Sequence, residues 1–252
     1  MIEVEQLGKR YGDFAAVTDL SFTVGSGEVL GLVGPNGAGK TTTLRCLSGI
    51  IPPSQGAIRI CGHDLGQAPL LAKRELAYFP DEPRLFDYLT VRQHLRFMAR
   101  LYHVPDAEAR GRQLLEELEL ADKADALPGT LSRGMKQKLA IACGLLHGPR
   151  VVLFDEPLTG LDPYGIRRMK DAIRRRAGEG MAILVSSHLL HLVEEICSHL
   201  LIVKQGRKVA WGPMEDVRRQ FAEASPDASL EEIFFRATGG SDGVAGTGAG
   251  GG

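Results

Sequence analysis

The spacing of apolar positions changes character twice along the chain. At the start the runs are short and strand-like. They are "IEV" at Ile2, "AAVTDLSFTV" from Ala15, where Val17, Phe22 and Val24 are spaced by polar neighbours, and the unbroken "VLGLVG" from Val29. Lys40 to about Leu47 is expected to be helical and is followed by the breaker-rich "GIIPPSQG". "AIRICG" and "LAYFP" then predict two further strands.

Between roughly Leu85 and His147 the period lengthens to that of a helix. Thr90 and Gln93 form a capping box, and Val91, Leu95, Met98 and Tyr102 recur on one face of "TVRQHLRFMARLYH". "AEARGRQLLEELEL" predicts a second helix, and "LSRGMKQKLA", Leu131 to Ala140, a third with Ser132 at its N-cap. An all-helical insertion inside an α/β chain follows. Strand and helix then alternate again through "VVLFDE" at Val151, a helix from about Asp162 to Ala177, "MAILVSS" at Met181 and a helix near His188 to His199. "LLIVKQGRKVAWG" predicts a hairpin turning at Gln205 and Gly206. Runs such as "VVLF" and "AILV" do not alternate, as expected of parallel strands buried on both faces. Ser229 with Glu232 opens a last short helix, "SLEEIFFRAT". From Gly239 the chain is nearly all small residues and cannot bury enough apolar surface to offset its entropy, so a flexible tail is expected over 239–252.

Composition narrows this picture without adding to it. With 252 residues, 44% of them hydrophobic, the chain can form one large α/β domain or two small ones. A formal charge of -1 gives no global attraction to nucleic acid or an anionic bilayer. Cys46, Cys61, Cys143 and Cys197 lie far apart with no CxxC pair, which argues against zinc or a disulfide framework and for reduced core thiols. "MIEVEQLGKR" lacks the charged and apolar regions of a signal peptide, and no run approaches the roughly 20 apolar residues of a membrane span. The chain is therefore expected not to cross a membrane itself.

Chemistry enters with "GPNGAGKTT", Gly34 to Thr42, which matches G-x-x-x-x-G-K-[ST]. In such a loop, here Gly34, Pro35, Asn36, Gly37, Ala38 and Gly39, the backbone N–H groups, which Pro35 lacks, surround phosphates. Lys40 reaches the outer phosphate oxygens, and the hydroxyl of Thr41 helps hold Mg²⁺. "VVLFDEP" places Asp155 and Glu156 at a strand end, where Asp155 would hold Mg²⁺ and Glu156 would orient the attacking water. Adjacent acids also cap loops; the phosphate loop elsewhere in the chain favours the metal reading. His188, after "AILVSS", could donate to a γ-phosphate, although a solitary histidine is also a common structural residue. Ser132 and the amides from Gly134 onward form a second anion-ready helix start, about ninety residues beyond a phosphate loop that is already complete.

The order of motifs, phosphate loop, helical insertion, "LSRGM", "VVLFDEP", "GLDP" and "SSH", resembles the nucleotide-binding subunit of ATP-binding-cassette (ABC) transporters from Ile2 to about Leu201. The resemblance implies an α/β fold: a P-loop NTPase core with a mostly parallel sheet, an N-terminal antiparallel β subdomain and a helical subdomain inserted at about 85–147. The whole would form one domain over 1–238 with a short helical extension at about 213–238. It also implies two such domains meeting head to tail around two ATP molecules, so that Ser132 and Gly134 face the partner's γ-phosphate and Asp162 links the two sites. Tyr11 matches the aromatic that stacks on adenine, Val17 lies near the ribose, the phosphate loop runs from Gly34 through Thr42, and Glu156 and His188 match the catalytic carboxylate and the switch histidine. The implied cofactors are ATP and Mg²⁺. The implied partners are a membrane permease and a second copy or a related ATPase subunit, with no nucleic acid. The implied location is cytoplasmic, on the inner face of the membrane.

Three residues depart from the family pattern. Arg133 and Met135 replace the third and fifth residues of the usual LSGGQ, and Asp81 in "YFPDEP" stands where a glutamine is usual, near the metal and the membrane partner. Asp81 is read either as a metal-side sensor or as a solvated turn acid. The pattern with "SLEEIFFRATGG" looks most like ATPases of ABC-2 type exporters. A soluble ABC ATPase acting on DNA or ribosomes and a degenerate cassette with regulatory ATP binding are the competing readings. The stretch "RRMKDAIRRR", Arg167 to Arg176, is expected to be a solvated helix surface around Ile166, Met169 and Ile173.

Overall fold

The computed structural model describes residues 1–159, 162–221 and 230–238. The Gly-rich segment from 239, and Ser229 as a cap, lie outside the described residues. Two sheets are formed. The first is antiparallel, in the order β2-β1-β4-β5, from β1 (Ile2–Tyr11), β2 (Phe14–Val24), β4 (Gln55–Ile60) and β5 (His63–Asp64). The second has the order β10-β9-β3-β8-β7-β6 and is built from β3 (Val29–Val33), β6 (Leu76–Phe79), β7 (Val151–Asp155), β8 (Ala182–Ser186), β9 (His199–Lys204) and β10 (Arg207–Pro213). Strands β6, β7, β8, β3 and β9 run parallel; only β10, which turns back from β9 at Gln205 and Gly206, is antiparallel.

The parallel strands are covered on both faces, which explains their unbroken apolar runs. Val152, Phe154, Ile183 and Val185 point to one core, under α5 (Arg133–Leu145), α6 (Pro163–Gly178) and α7 (Leu190–Ile196). Their neighbours Val151, Leu153, Ala182 and Leu184 point to the other, which the antiparallel sheet closes with Leu7, Leu20 and Phe22 and to which α1 (Lys40–Leu47) adds Leu44 and Leu47. A third cluster, around Val91, Leu95, Leu115, Leu139 and Leu146, belongs to α3 (Val91–Tyr102), α4 (Ala107–Glu117) and α5. Helix α3 begins with the capping box of Thr90 and Gln93, both halves formed.

Elements beyond the sequence pattern include α2 (Pro69–Arg74), the two-residue β5 and the continuation of β1 to Tyr11, while α8 (Met214–Phe221) lies within 213–238, where a helical extension is expected. The helix expected near His188 to His199 covers only Leu190–Ile196. Cys197 is extended, and His199 already pairs with Leu30 as the first residue of β9. Helix α9 (Leu230–Thr238) carries the final apolar stretch and buries Leu230 and Ile233 against the core.

The arginine-rich face of α6 is more than a solvated surface. Arg168 pairs with Glu119, and Arg175 and Arg176 pair with Glu117 at the end of α4. Lys170 pairs with Glu195 of α7 at 2.5 Å. The cations thus join α6 to its two neighbours, a role invisible without knowing which acids lie opposite.

Candidate active site

The loop from Gly34 to Thr42 leaves β3 and enters α1 with Gly37 at φ +78° and Gly39 at φ +101°. At Gly39 a side chain is excluded twice: by its left-handed backbone, and because a Cβ would lie 2.6 Å from the carbonyl oxygen of Ala16. The same oxygen stands 2.6 Å from where a Cβ of Gly206 would be, in the β9–β10 turn. The Thr18 amide donates to the Gly206 carbonyl at 2.7 Å, and the Gly206 amide donates to Ala38 at 3.0 Å. Antiparallel sheet, phosphate loop and hairpin therefore meet at one point.

Lys40 opens α1 and is 8% exposed. Its Nζ turns back over the loop, donating to the carbonyls of Gly34 at 2.6 Å and Pro35 at 3.3 Å. Burial lowers its pKa, while the charges of Glu156 and Asp155 act in the opposite direction. A buried ammonium surrounded by a glycine-rich turn at a helix start suits a polyanion.

Strands β7 and β8 end in register, with Asp155 opposite Ser186. Ser186 Oγ donates to Asp155 Oδ1 at 2.6 Å, Thr41 Oγ1 lies 3.5 Å from the same oxygen, and Tyr78 OH lies 3.4 Å from Oδ2. Burial, then the Asp155 charge, push the Tyr78 hydroxyl up to about 12, so it remains a donor. A hydroxyl and a carboxylate as close as Thr41 and Asp155 form the hard-oxygen donor set that Mg²⁺ takes together with phosphate and water. The residues present fit that ion. Among the described residues no group of three or more His, Cys, Asp or Glu side chains converges, and a magnesium ion shared with phosphates needs none.

Glu156, one residue beyond the strand, has φ +52°, a left-handed backbone uncommon for a side chain of its size. Its amide donates to the carbonyl of Ser186 at 3.1 Å and to its hydroxyl at 3.2 Å, which turns the carboxylate toward His188. There it accepts from the His188 amide at 3.3 Å and faces Nδ1 at 2.9 Å. Sequence reading missed Ser186 and Tyr78. The available signal was two apolar strands, "VVLF" and "AILV", each ending in a polar residue.

Other anticipated residues lie elsewhere. Tyr11 is exposed at the end of β1, with the ammonium of Lys9 5.3 Å from its ring centre. Val17 is 2% exposed and supports Gly39 from beneath, leaving little surface for a sugar. Ser132 caps α5, its Oγ accepting from the Met135 amide at 3.3 Å, and Asp162 caps α6, accepting from Gly165 at 2.7 Å. Ser132, Gly134 and Asp162 line a separate cleft of about 690 Å³ between α5 and α6. A Cβ at Gly134 would meet nothing within 4 Å, so the chain's own packing does not require glycine there. Asp81 pairs with Arg133 at 3.3 Å.

A glycine cradle with a buried lysine, set at the carboxyl ends of parallel strands, defines a P-loop nucleotide-binding protein. The profile of the family described as "ABC transporter" matches residues 17–159. The Nod factor export ATP-binding protein I of Burkholderia thailandensis is 41% identical over 92% of this chain and 76% of its own length. A solved structure described as the ATP-binding subunit of an ABC transporter superposes with TM-score 0.88 at 37% identity, covering 94% of this chain and 99% of that one. A dimeric ATP-binding cassette in a post-hydrolysis state with ADP and Pi, 20% identical, shares the fold with TM-score 0.77 over 85% of this chain and 99% of its own. The chain belongs to the ABC transporter family, and it is an ATP-binding, ATP-hydrolysing subunit that powers a membrane transporter.

Proposed function

We propose that this ATPase drives a separate permease, of the ABC-2 exporter type, by closing as a dimer around two ATP molecules and reopening after hydrolysis. The observation that carries this reading is the division of the site. Lys40, Thr41, Asp155, Glu156 and His188 converge at the strand ends, whereas Ser132, Gly134 and Asp162 line another cleft. The open space above Gly134 supports a group arriving from outside the chain. Two copies arranged head to tail would complete each other's sites.

Within one site, the loop amides and Lys40 hold the triphosphate, and Tyr11 offers its exposed face to the base. Magnesium, when bound by Thr41 and Asp155, neutralises phosphate charge. Ser186 and Tyr78 hold Asp155 in place. Glu156 orients and polarises the attacking water, and His188 fixes the carboxylate. Positioning and charge supply most of the rate, since phosphoryl transfer asks little covalent chemistry of the protein.

The permease would seat beside α3. Phe86 and Phe97 pack edge to face at 5.2 Å while staying 54% and 43% exposed, and Leu101 continues the same helix face one turn on. No helix among the described residues is long and apolar enough to cross a membrane, so attachment at the inner face would run through that partner. The test is steady-state phosphate release by the chain with and without its co-purified permease, alongside light scattering in ATP. A chain that releases no phosphate in either form, or stays monomeric in both, overturns the proposal.

A further inference from the structure

Two departures from the family pattern, Asp81 and Arg133, are fifty-two positions apart in sequence and touch in space. Arg133 Nη2 donates to Asp81 Oδ1 at 3.3 Å, tying the loop after β6 to the first turn of α5. Helix α5 is also seated on β6 one full residue-run later. A Cβ at Gly144 would lie 2.4 Å from the Phe79 ring, which in turn stacks on Phe154 at 4.9 Å. The two contacts stand eleven residues apart on α5, roughly 16 Å at 1.5 Å per residue. The Gly144 contact is tight and apolar. The Asp81 contact is half-exposed and charged, with side chains 47% and 58% accessible. One is a fixed seat and the other a releasable tie.

Arg133 lies between Ser132 and Gly134, so whatever holds its guanidinium also holds the helix start that the proposed dimer presents to the partner's nucleotide. Asp81 is carried stiffly, because Pro80 and Pro83 flank the short loop and restrict its backbone. The carboxylate and the guanidinium are complementary: the pair offsets the repulsion that Asp81 alone would exert on a nearby triphosphate, and it holds an Arg133 that would otherwise be free to turn toward phosphate.

We infer that Asp81 is a positioning residue which acts through Arg133: their ion pair sets the placement of Ser132 and Gly134, and thereby the ATP concentration at which the two half-sites engage. The pairing also gives Asp81 a partner other than the metal. The inference rests on the dimeric reading above.

The experiment is a charge cycle on the full chain: Asp81→Asn, Arg133→Gln, the double variant, the exchange Asp81→Arg with Arg133→Asp, and the conservative Asp81→Glu. KM and kcat for ATP are measured at low and high salt, with urea unfolding midpoints for each variant. Each single neutralisation is expected to raise KM about two- to fivefold, the range of a half-exposed ion pair, with a smaller change in kcat. The double should be no worse than the singles, and the exchange and Asp81→Glu should recover KM to within about twofold. The differences should shrink at high salt. Additive singles, an exchange as impaired as the double, or KM values that merely follow the unfolding midpoints would overturn the tie. A parent chain with no ATP turnover would instead overturn the proposed function, so the two failures are distinguishable.

Discussion

The carboxylate of Glu156 accepts from both the amide and the ring of His188, at 3.3 and 2.9 Å. An ionised carboxylate only accepts, so Nδ1 carries the proton and Nε2 is the nitrogen left for another partner. Neutral His188 in this tautomer can only accept at Nε2. Donation to a phosphate oxygen there requires the second proton or release from Glu156. The switch is therefore a property of the pair. Glu156→Gln keeps the size and loses the charge. Phosphate release should fall at least about a hundredfold, while light scattering in ATP shows a persistent dimer.

Two glycines with different surroundings should respond differently to alanine. Gly39→Ala must place a Cβ 2.6 Å from a backbone oxygen at φ +101°. It is expected to cost about 1–3 kcal/mol in urea unfolding and to abolish nucleotide binding. Gly134→Ala meets nothing within 4 Å, so its unfolding midpoint should stay near the parent's while ATP-driven association weakens. A large loss of stability at Gly134 would show that the position serves the chain's own packing.

Ser186→Ala removes the shortest hydrogen bond to Asp155, between residues that are 0% and 5% exposed. Unfolding free energy should drop by about 1–3 kcal/mol, the scale of a buried acceptor left short of a donor. The magnesium dependence of ATP turnover should shift to higher concentration. A variant as stable as the parent would mean that Tyr78 and Thr41 suffice.

Glu119 is held at about 2, first by its hydrogen bond from Arg168 and then by that from Lys138. A carboxyl whose folded value is depressed stabilises the fold above its ordinary range, and that contribution is lost as pH falls through about 2. The tie between Arg168 of α6 and Glu119, just beyond α4, should thus survive mild acid. A carboxyl-carbon NMR titration of Glu119 checks the midpoint, and Arg168→Gln should move it upward toward the usual glutamate range.

Much of the site was legible because its chemistry is local. Gly34 to Thr42 is contiguous, Asp155 and Glu156 are adjacent, and helix α1 occupies Lys40–Leu47, the span its sequence predicts. What stayed hidden depends on register. Strands buried on both faces carry no alternation, so nothing in "VVLF" and "AILV" indicates that Asp155 stands opposite Ser186. Strand β1 escaped full recognition because Gln6, at φ +48°, interrupts its period and shifts its pairing. The acids facing the α6 arginines and the Asp81–Arg133 pair are long-range matches, which a single sequence does not reveal.

The meeting of Ala16, Gly39 and Gly206 bears on how the protein is made. On the ribosome the phosphate motif emerges well before the wall that shapes it, the β9–β10 turn, which comes only after Gly206 has been synthesised. A nascent chain therefore carries the motif long before it has the cradle, and ATP can reward folding only once the β9–β10 turn has followed.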